Sequence, residues 1–171
     1  YNFQSASAKG VADVLTSKPI DMSGVLASDS VYLSFLYQRA GHGEQPDATD
    51  SLVLEFWSPI NNQWNSIWKA TGGSSDTDFK IKLQKITDAQ YLQNGFQFRF
   101  KNKGSKFGGD DHWHIDYIKL NRFRNINDTA FFDVSINNNP TSLLKSYTAI
   151  PFNQYDSSML ANNHFINVRN N

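Results

Sequence analysis

The chain has 171 residues, enough for one sizeable core, and its sixteen Lys and Arg balance sixteen Asp and Glu. That balance gives the chain no overall positive field for nucleic acid or an anionic membrane, and no stretch approaches the roughly 18 apolar residues of a membrane span. Cysteine is absent, which excludes a disulfide framework and thiolate chemistry and leaves the redox compartment unread.

The opening Tyr1-Asn2-Phe3-Gln4 has neither the basic start nor the apolar core of a signal segment, and no initiator Met precedes it, so the chain reads as a piece of a longer protein. Aromatic residues make up 14% of it, a bias toward strands. Alternation at period two begins over residues 30 to 39, where Val31, Leu33, Phe35 and Tyr37 share one face and Tyr32, Ser34, Leu36 and Gln38 the other. Leu52, Leu54 and Phe56 then alternate with Val53, Glu55 and Trp57, and after Pro59-Ile60-Asn61-Asn62, a hairpin turn, comes a run carrying Trp64, Ile67 and Trp68.

Phe79, Ile81 and Leu83 alternate with Lys80, Lys82 and Gln84, and Phe96, Phe98 and Phe100 with Gln97, Arg99 and Lys101. Both segments are therefore expected to have one buried and one solvated face. The best helical pattern before residue 120 is the short piece Thr87 to Gln93. In His112 to Leu120, Trp113, Ile115 and Tyr117 oppose His114, Asp116, Ile118 and Leu120, and either face suits a core. Many short strands between polar turns predict an all-β fold, a β-sandwich or jelly roll.

Beyond Leu120 the pattern changes. Asn121 to Asp128 is polar, Ala130 to Ile136 alternates again, and Asn137-Asn138-Asn139-Pro140 breaks the run. The expected division is a jelly-roll β-sandwich over 1–123, then a linker and the truncated start of a second β-rich domain over 124–171. Ser142 to Tyr147 suits one helical turn, and His164 to Val168 reads as a strand with no partner after it.

The order Leu15-Thr16-Ser17-Lys18-Pro19-Ile20-Asp21-Met22, Tyr32 to Tyr37, Asp50 to Phe56, Trp64 to Trp68, and finally Ile115-Asp116-Tyr117-Ile118, resembles the MAM and cleaved-adhesin (choice-of-anchor J) jelly rolls. The resemblance covers roughly residues 10 to 122. Asp111 to Tyr117 and Ser142 to Pro151 are similar to segments of large surface proteins of gliding bacteria that use type IX secretion. It implies a concanavalin- or MAM-like sandwich from an exported bacterial cell-surface protein. The MAM disulfides are absent, which favours the bacterial branch.

Three groups of residues have chemical potential. Hard cations take several oxygen ligands, and Glu44, Asp47 and Asp50 in one loop, with Asp110 and Asp111 after Gly108-Gly109, offer them. Calcium is the candidate cofactor. The resemblance implies a further ligand, Asp116, because the Asp of the last strand often helps hold a structural calcium in related jelly rolls. Without an ion the same residues are solvated loop carboxylates. His112 and His114 at i and i+2 share a strand face about 7 Å apart, with His42, His164 or Asp116 as the third zinc ligand; a hydrogen-bonded His is the commoner outcome. Trp57, Trp64, Trp68 and Trp113 either stack on sugar rings or fill the core.

No Gly-x-Ser-x-Gly elbow, His-Glu-x-x-His, phosphate-binding Gly loop or Cys nucleophile is present, so no enzymatic activity is expected. The acidic pairs Asp110/Asp111 and Asp47/Asp50 suit a glycosidase only if they flank a cleft. The expected function is a non-catalytic binding, adhesion or assembly module, with protein partners or surface glycan as its ligands. The rival readings are a carbohydrate-binding module of a secreted hydrolase and a component or passenger of a type IX secretion or gliding complex.

Overall fold

The computed structural model describes residues 8–107, 109–131, 134–136 and 138–170. Tyr1 to Gln4, Gly108 of the acidic loop and Asn137 of the polar break lie outside the described residues. The chain divides into two compact units, Tyr1–Asp128 and Thr129–Asn171.

The first unit is an antiparallel two-sheet sandwich. Its strands in chain order are β1 (Lys9–Thr16), β2 (Ile20–Asp21), β3 (Val31–Arg39), β4 (Ser51–Ser58), β5 (Gln63–Thr71), β6 (Lys80–Ile86), β7 (Asn94–Ser105) and β8 (Trp113–Asn121). One sheet has the order β1-β7-β4-β5, with β2 also on β7, and the other the order β6-β3-β8. Within the described residues of this unit β4 and β5 alone form a hairpin of sheet neighbours, and the turn between them has Asn62 in the left-handed region, with φ of 50°. The connections β2 to β3, β3 to β4, β5 to β6, β6 to β7 and β7 to β8 each change sheets.

Val31, Leu33 and Phe35 of β3 face Leu52, Leu54 and Phe56 of β4 and Phe96 and Phe100 of β7, all within 2% of full burial. Phe35 is the hub: its ring meets Phe100 at 4.8 Å and Trp68 at 5.2 Å, both edge-on, the arrangement that aromatic quadrupoles favour. The central strands β3 and β4 are apolar on most positions because both of their flanks are paired and their inner face is covered.

Two strands turn differently from their sequence pattern. In β6, directly opposed residues show that Lys82 sits with Phe35 and Gln84 with Leu33 on the core side, whereas Ile81 lies with Leu36 and Leu83 with Ser34 on the outer side. The expected buried face Phe79, Ile81 and Leu83 thus points away from the core, and Phe79 is 42% exposed. Pairing of Ile86 with Val31, both about 1% exposed, anchors this register, and at the end of this edge strand the Lys80 ammonium pairs with Asp76.

In β8 a bulge answers the choice between faces. From Ser34 to Leu36 the partner strand advances from Lys119 to Asp116, one residue more, and Tyr117 has φ of 48°. The extra residue switches faces mid-strand, so Trp113 and Ile115 pack on the core before it and Leu120 after it. Thr87 to Gln93 is no helix but successive turns, Tyr91 N to Asp88 O and Leu92 N to Ala89 O, that drop Tyr91 and Leu92 into the core.

The first unit runs past the expected boundary because of Arg124. Its guanidinium donates from Nε to Asp128 Oδ2, from Nη2 to Asp128 O, and from Nη1 to the carbonyls of Tyr32 and Lys119, joining β3 and β8 to the chain that leaves them. The side chain is 5% exposed. Arg124→Ala removes all four of these bonds and should lower stability by about 1 to 3 kcal/mol, read from the urea midpoint.

In the second unit β9 (Val134–Ile136) pairs antiparallel with β10 (Val168–Asn170), Val168 opposite Ile136. Of the strand expected over His164 to Val168 only Val168 lies in one, β10, whose partner is earlier in the chain; Thr141 N donates to Phe165 O, and Phe165 N to Thr141 Oγ1. Ser142 to Tyr147 forms no helical turn; Leu144 makes an isolated bridge to Leu160. Two short 3-10 turns, Phe152–Gln154 and Ser157–Met159, complete it, and none of its described residues is buried.

Candidate functional sites

At one end of the sandwich the loop before β4 meets the loop before β8. Asp47, Asp50 and Asp111 each bring a carboxylate oxygen within 4.8 Å of the others. Asp50 and Asp111 are 2% and 5% exposed, so their charges have little water around them. Lys9 Nζ reaches Asp47 Oδ2 at 2.7 Å and Asp50 Oδ1 at 3.3 Å. Asp111 has no ion-pair partner among the described residues; Ser105 N donates to its Oδ2 at 2.6 Å and Asp47 N to its Oδ1 at 3.4 Å. Gly104 permits this approach, since a Cβ there would lie 2.7 Å from Asp111 Oδ2. Asp111 itself is held at φ of 59°, a strained backbone for a non-glycine residue.

Glu44 and Asp110 stand beside the triad. The hydrogen bond with Asp110, and then its negative charge, push the Glu44 carboxyl above the usual carboxylate range, a sign of excess negative charge here. Asp116 is not in the cluster. It lies mid-strand on β8 opposite Leu36, exposed, its Oδ1 accepting from Tyr117 N at the bulge.

The histidines serve the loops. His112 Nδ1 accepts from Glu44 N at 2.9 Å, and His114 Nε2 lies 3.0 Å from Ala40 O. Among the described residues no histidine joins a cluster with metal-ligand spacing. His114, His42 and Phe79 instead line an open cleft of about 500 Å³ that also touches Gln38 and Asp76. Two loops, around His42 and around Asp76, and two strands, β3 and β8, assemble this cleft, so no contiguous stretch of sequence marks it.

The four tryptophans part company. Trp68 and Trp113 pack against the core. Trp57 on β4 and Trp64 on β5 are directly opposed on the solvent side of the larger sheet, ring centroids 5.5 Å apart. Beside them Arg99 on β7 lays its guanidinium over the Trp64 ring at 4.1 Å and donates from Nε to Glu55 at 2.6 Å. Lys101 holds the other Glu55 oxygen at 2.5 Å. Neither cation was picked out as a site residue, although the alternation of Gln97, Arg99 and Lys101 opposite the three Phe already placed them on the outer face.

Burial pushes the Glu55 carboxyl up, but the bonds from Lys101 and Arg99 outweigh it and hold it below the usual carboxylate range. Asp76, opposed by burial and held by Lys80 and Arg39, is depressed in the same way. A depressed carboxyl adds stability that is complete above its ordinary unfolded value and is lost as pH falls through the folded one, because there the unfolded chain binds more protons. Stability should therefore hold from neutrality down to about pH 4 to 5 and fall below it, and Glu55→Gln should shallow that fall in urea titrations at stepped pH.

No family model matches the chain, and no curated protein matches it.

Proposed function

We propose that this chain is a non-catalytic, jelly-roll binding module of an exported bacterial surface protein, acting in adhesion through glycan contact on the solvent face of its larger sheet. The observation that carries the reading is the Trp57–Trp64 pair, on the solvent side of the larger sheet while Trp68 and Trp113 pack against the core. Flat rings held by a rigid sheet present the apolar surface against which a pyranose face packs.

Strand order supports the jelly-roll part of the reading: β1 and β2 on β7, then β4 and β5, against β6-β3-β8, with nearly every connection changing sheets. The Ile115-Asp116-Tyr117-Ile118 segment is the last strand of that arrangement. No helix among the described residues is long and apolar enough to cross a membrane.

Calcium is the second part of the proposal. Asp47, Asp50 and Asp111 would hold it, with Glu44 and Asp110 adding negative charge, because a hard cation relieves buried carboxylates that Lys9 alone neutralises only in part. The ion would tie the two loops together and supply no chemistry to a substrate.

The test is binding of the full chain to an immobilised glycan panel, with Trp57→Ala and Trp64→Ala beside it. Each variant should weaken the best glycan by roughly tenfold, the scale of one aromatic contact. Binding to none of the glycans, or equal binding by both variants, would remove the proposal.

A further inference from the structure

The two faces of the larger sheet differ in charge as sharply as in polarity. Along β4, β5 and β7 the core side carries no charged residue among Leu52, Leu54, Phe56, Phe96, Phe98 and Phe100. The solvent side carries Lys69, Arg99, Lys101 and Lys103, with Glu55 as the single carboxylate on those strands. Four cations around one anion are a local excess in a chain whose formal net charge is zero.

Register arranges these groups in rows. Lys69 and Lys101 flank Val53, Arg99 flanks Glu55, and Gln97 and Trp64 flank Trp57, with Lys103 one row beyond, opposite Ser51. Rows two residues apart along a strand are separated by about 7 Å. The cations thus form a track that leads to the tryptophan pair.

Arg99 and Lys101 are held rather than free. Their side chains are 23% and 15% exposed and converge on Glu55, and Arg99 also stacks on Trp64. Glu55 uses Nε of the guanidinium, and the two terminal nitrogens of Arg99 make no hydrogen bond among the described residues. Those donors are available to a carboxylate, which guanidinium recognises in bidentate fashion. Lys69 and Lys103 are exposed and add charge without fixed partners.

We infer that the ligand of this face is an acidic polysaccharide, a chain of uronate sugars, with a pyranose ring on the Trp57–Trp64 pair and carboxylates over Arg99 and the lysine track. This deepens the glycan reading above and rests on it. An acidic sugar chain matches both halves of the surface, since it has apolar ring faces for the indoles and regularly spaced charge for the cations.

The experiment compares polygalacturonate, alginate and hyaluronan with methyl-esterified polygalacturonate, which keeps the backbone and loses the charge, by calorimetry on the full chain at two salt concentrations. At least one acidic polymer should bind tenfold or more tighter than the methyl ester, weaken as salt rises, and lose about tenfold in affinity in Lys69→Gln/Lys103→Gln. Arg99→Lys, which keeps the charge and removes the fork and the stacking, should weaken it as well. Equal binding of acid and ester, or binding of neutral glycans alone, overturns this inference and leaves the glycan platform standing. Binding of no polysaccharide overturns both. Tighter binding of a single-stranded DNA oligomer or of anionic-lipid vesicles overturns the assignment to sugar.

Discussion

Phe35→Ala should cost the sandwich about 3 to 5 kcal/mol, the largest loss expected from a single core substitution. Phe35 has no exposed surface and lies where the two sheets meet, with Phe100, Trp68 and Tyr37 around its ring at 4.8, 5.2 and 6.2 Å. Truncation leaves a cavity that the rigid flanking strands β6 and β8 cannot close, and forfeits three aromatic contacts at once. Domains of this size are stable by roughly 5 to 15 kcal/mol, so the variant should unfold at much lower urea than the parent. Phe79→Ala is the informative companion. The alternation of the sequence makes it an equal core residue, whereas its exposure in the structure predicts a loss under about 1 kcal/mol. Equal losses at Phe35 and Phe79 would mean that β6 is turned the other way.

Calcium at a hundred times its dissociation constant should raise stability by about 2.7 kcal/mol, since an ion bound only by the folded state shifts the equilibrium by mass action. The rise should vanish in Asp50→Asn and in Asp111→Asn, which keep the shape of the side chain and remove its charge, and should persist in Asp116→Ala, whose carboxylate sits mid-strand away from the cluster. Lys9→Met should tighten calcium, because the Lys9 ammonium bonds the same two carboxylates, Asp47 and Asp50, that the ion would take. Thermal unfolding with calcium and with chelator decides the matter. No shift in the parent chain would leave a carboxylate cluster held by Lys9 and by the backbone donors of Asp47 and Ser105.

The two sites differ in how far they were legible. The loop acids Asp47, Asp50 and Asp111 stand out in sequence as oxygen donors, but 60 residues of chain separate Asp50 from Asp111, and the pairing of the start of β4 with the end of β7 brings them together. Lys9 could not be linked to them, because β1 lacks clean alternation and its place beside β7 comes from pairing. Asp116 is an oxygen donor by type and a calcium ligand by the resemblance, but the bulge at Tyr117 gives its carboxylate a local backbone partner. For tryptophan, indole size and strand position are the same in both settings; which sheet face each ring occupies follows from register, including the irregularity between Leu54 and Glu55 that lets both Ile67 and Trp68 pack on the core while Trp64 faces solvent.

The sequence by itself determined the class of the protein: period-two alternation over 30–39, 52–57, 79–84 and 96–101 demands strands, and strands with one apolar face demand a second sheet to cover it. It also determined which side of β7 is core, since Phe96, Phe98 and Phe100 leave no other choice. Only the tertiary structure decided the orientation of β6, the switch of faces in β8, the end of the first unit at Asp128 and the pairing of β10 with β9. Each of these rests on a partner distant in sequence: Val31 fixes Ile86, β3 sets the extra residue at Tyr117, the carbonyl of Tyr32 receives Arg124, and Ile136 receives Val168. Local pattern records how a residue suits one face of a strand, and pairing energy settles which way that face points.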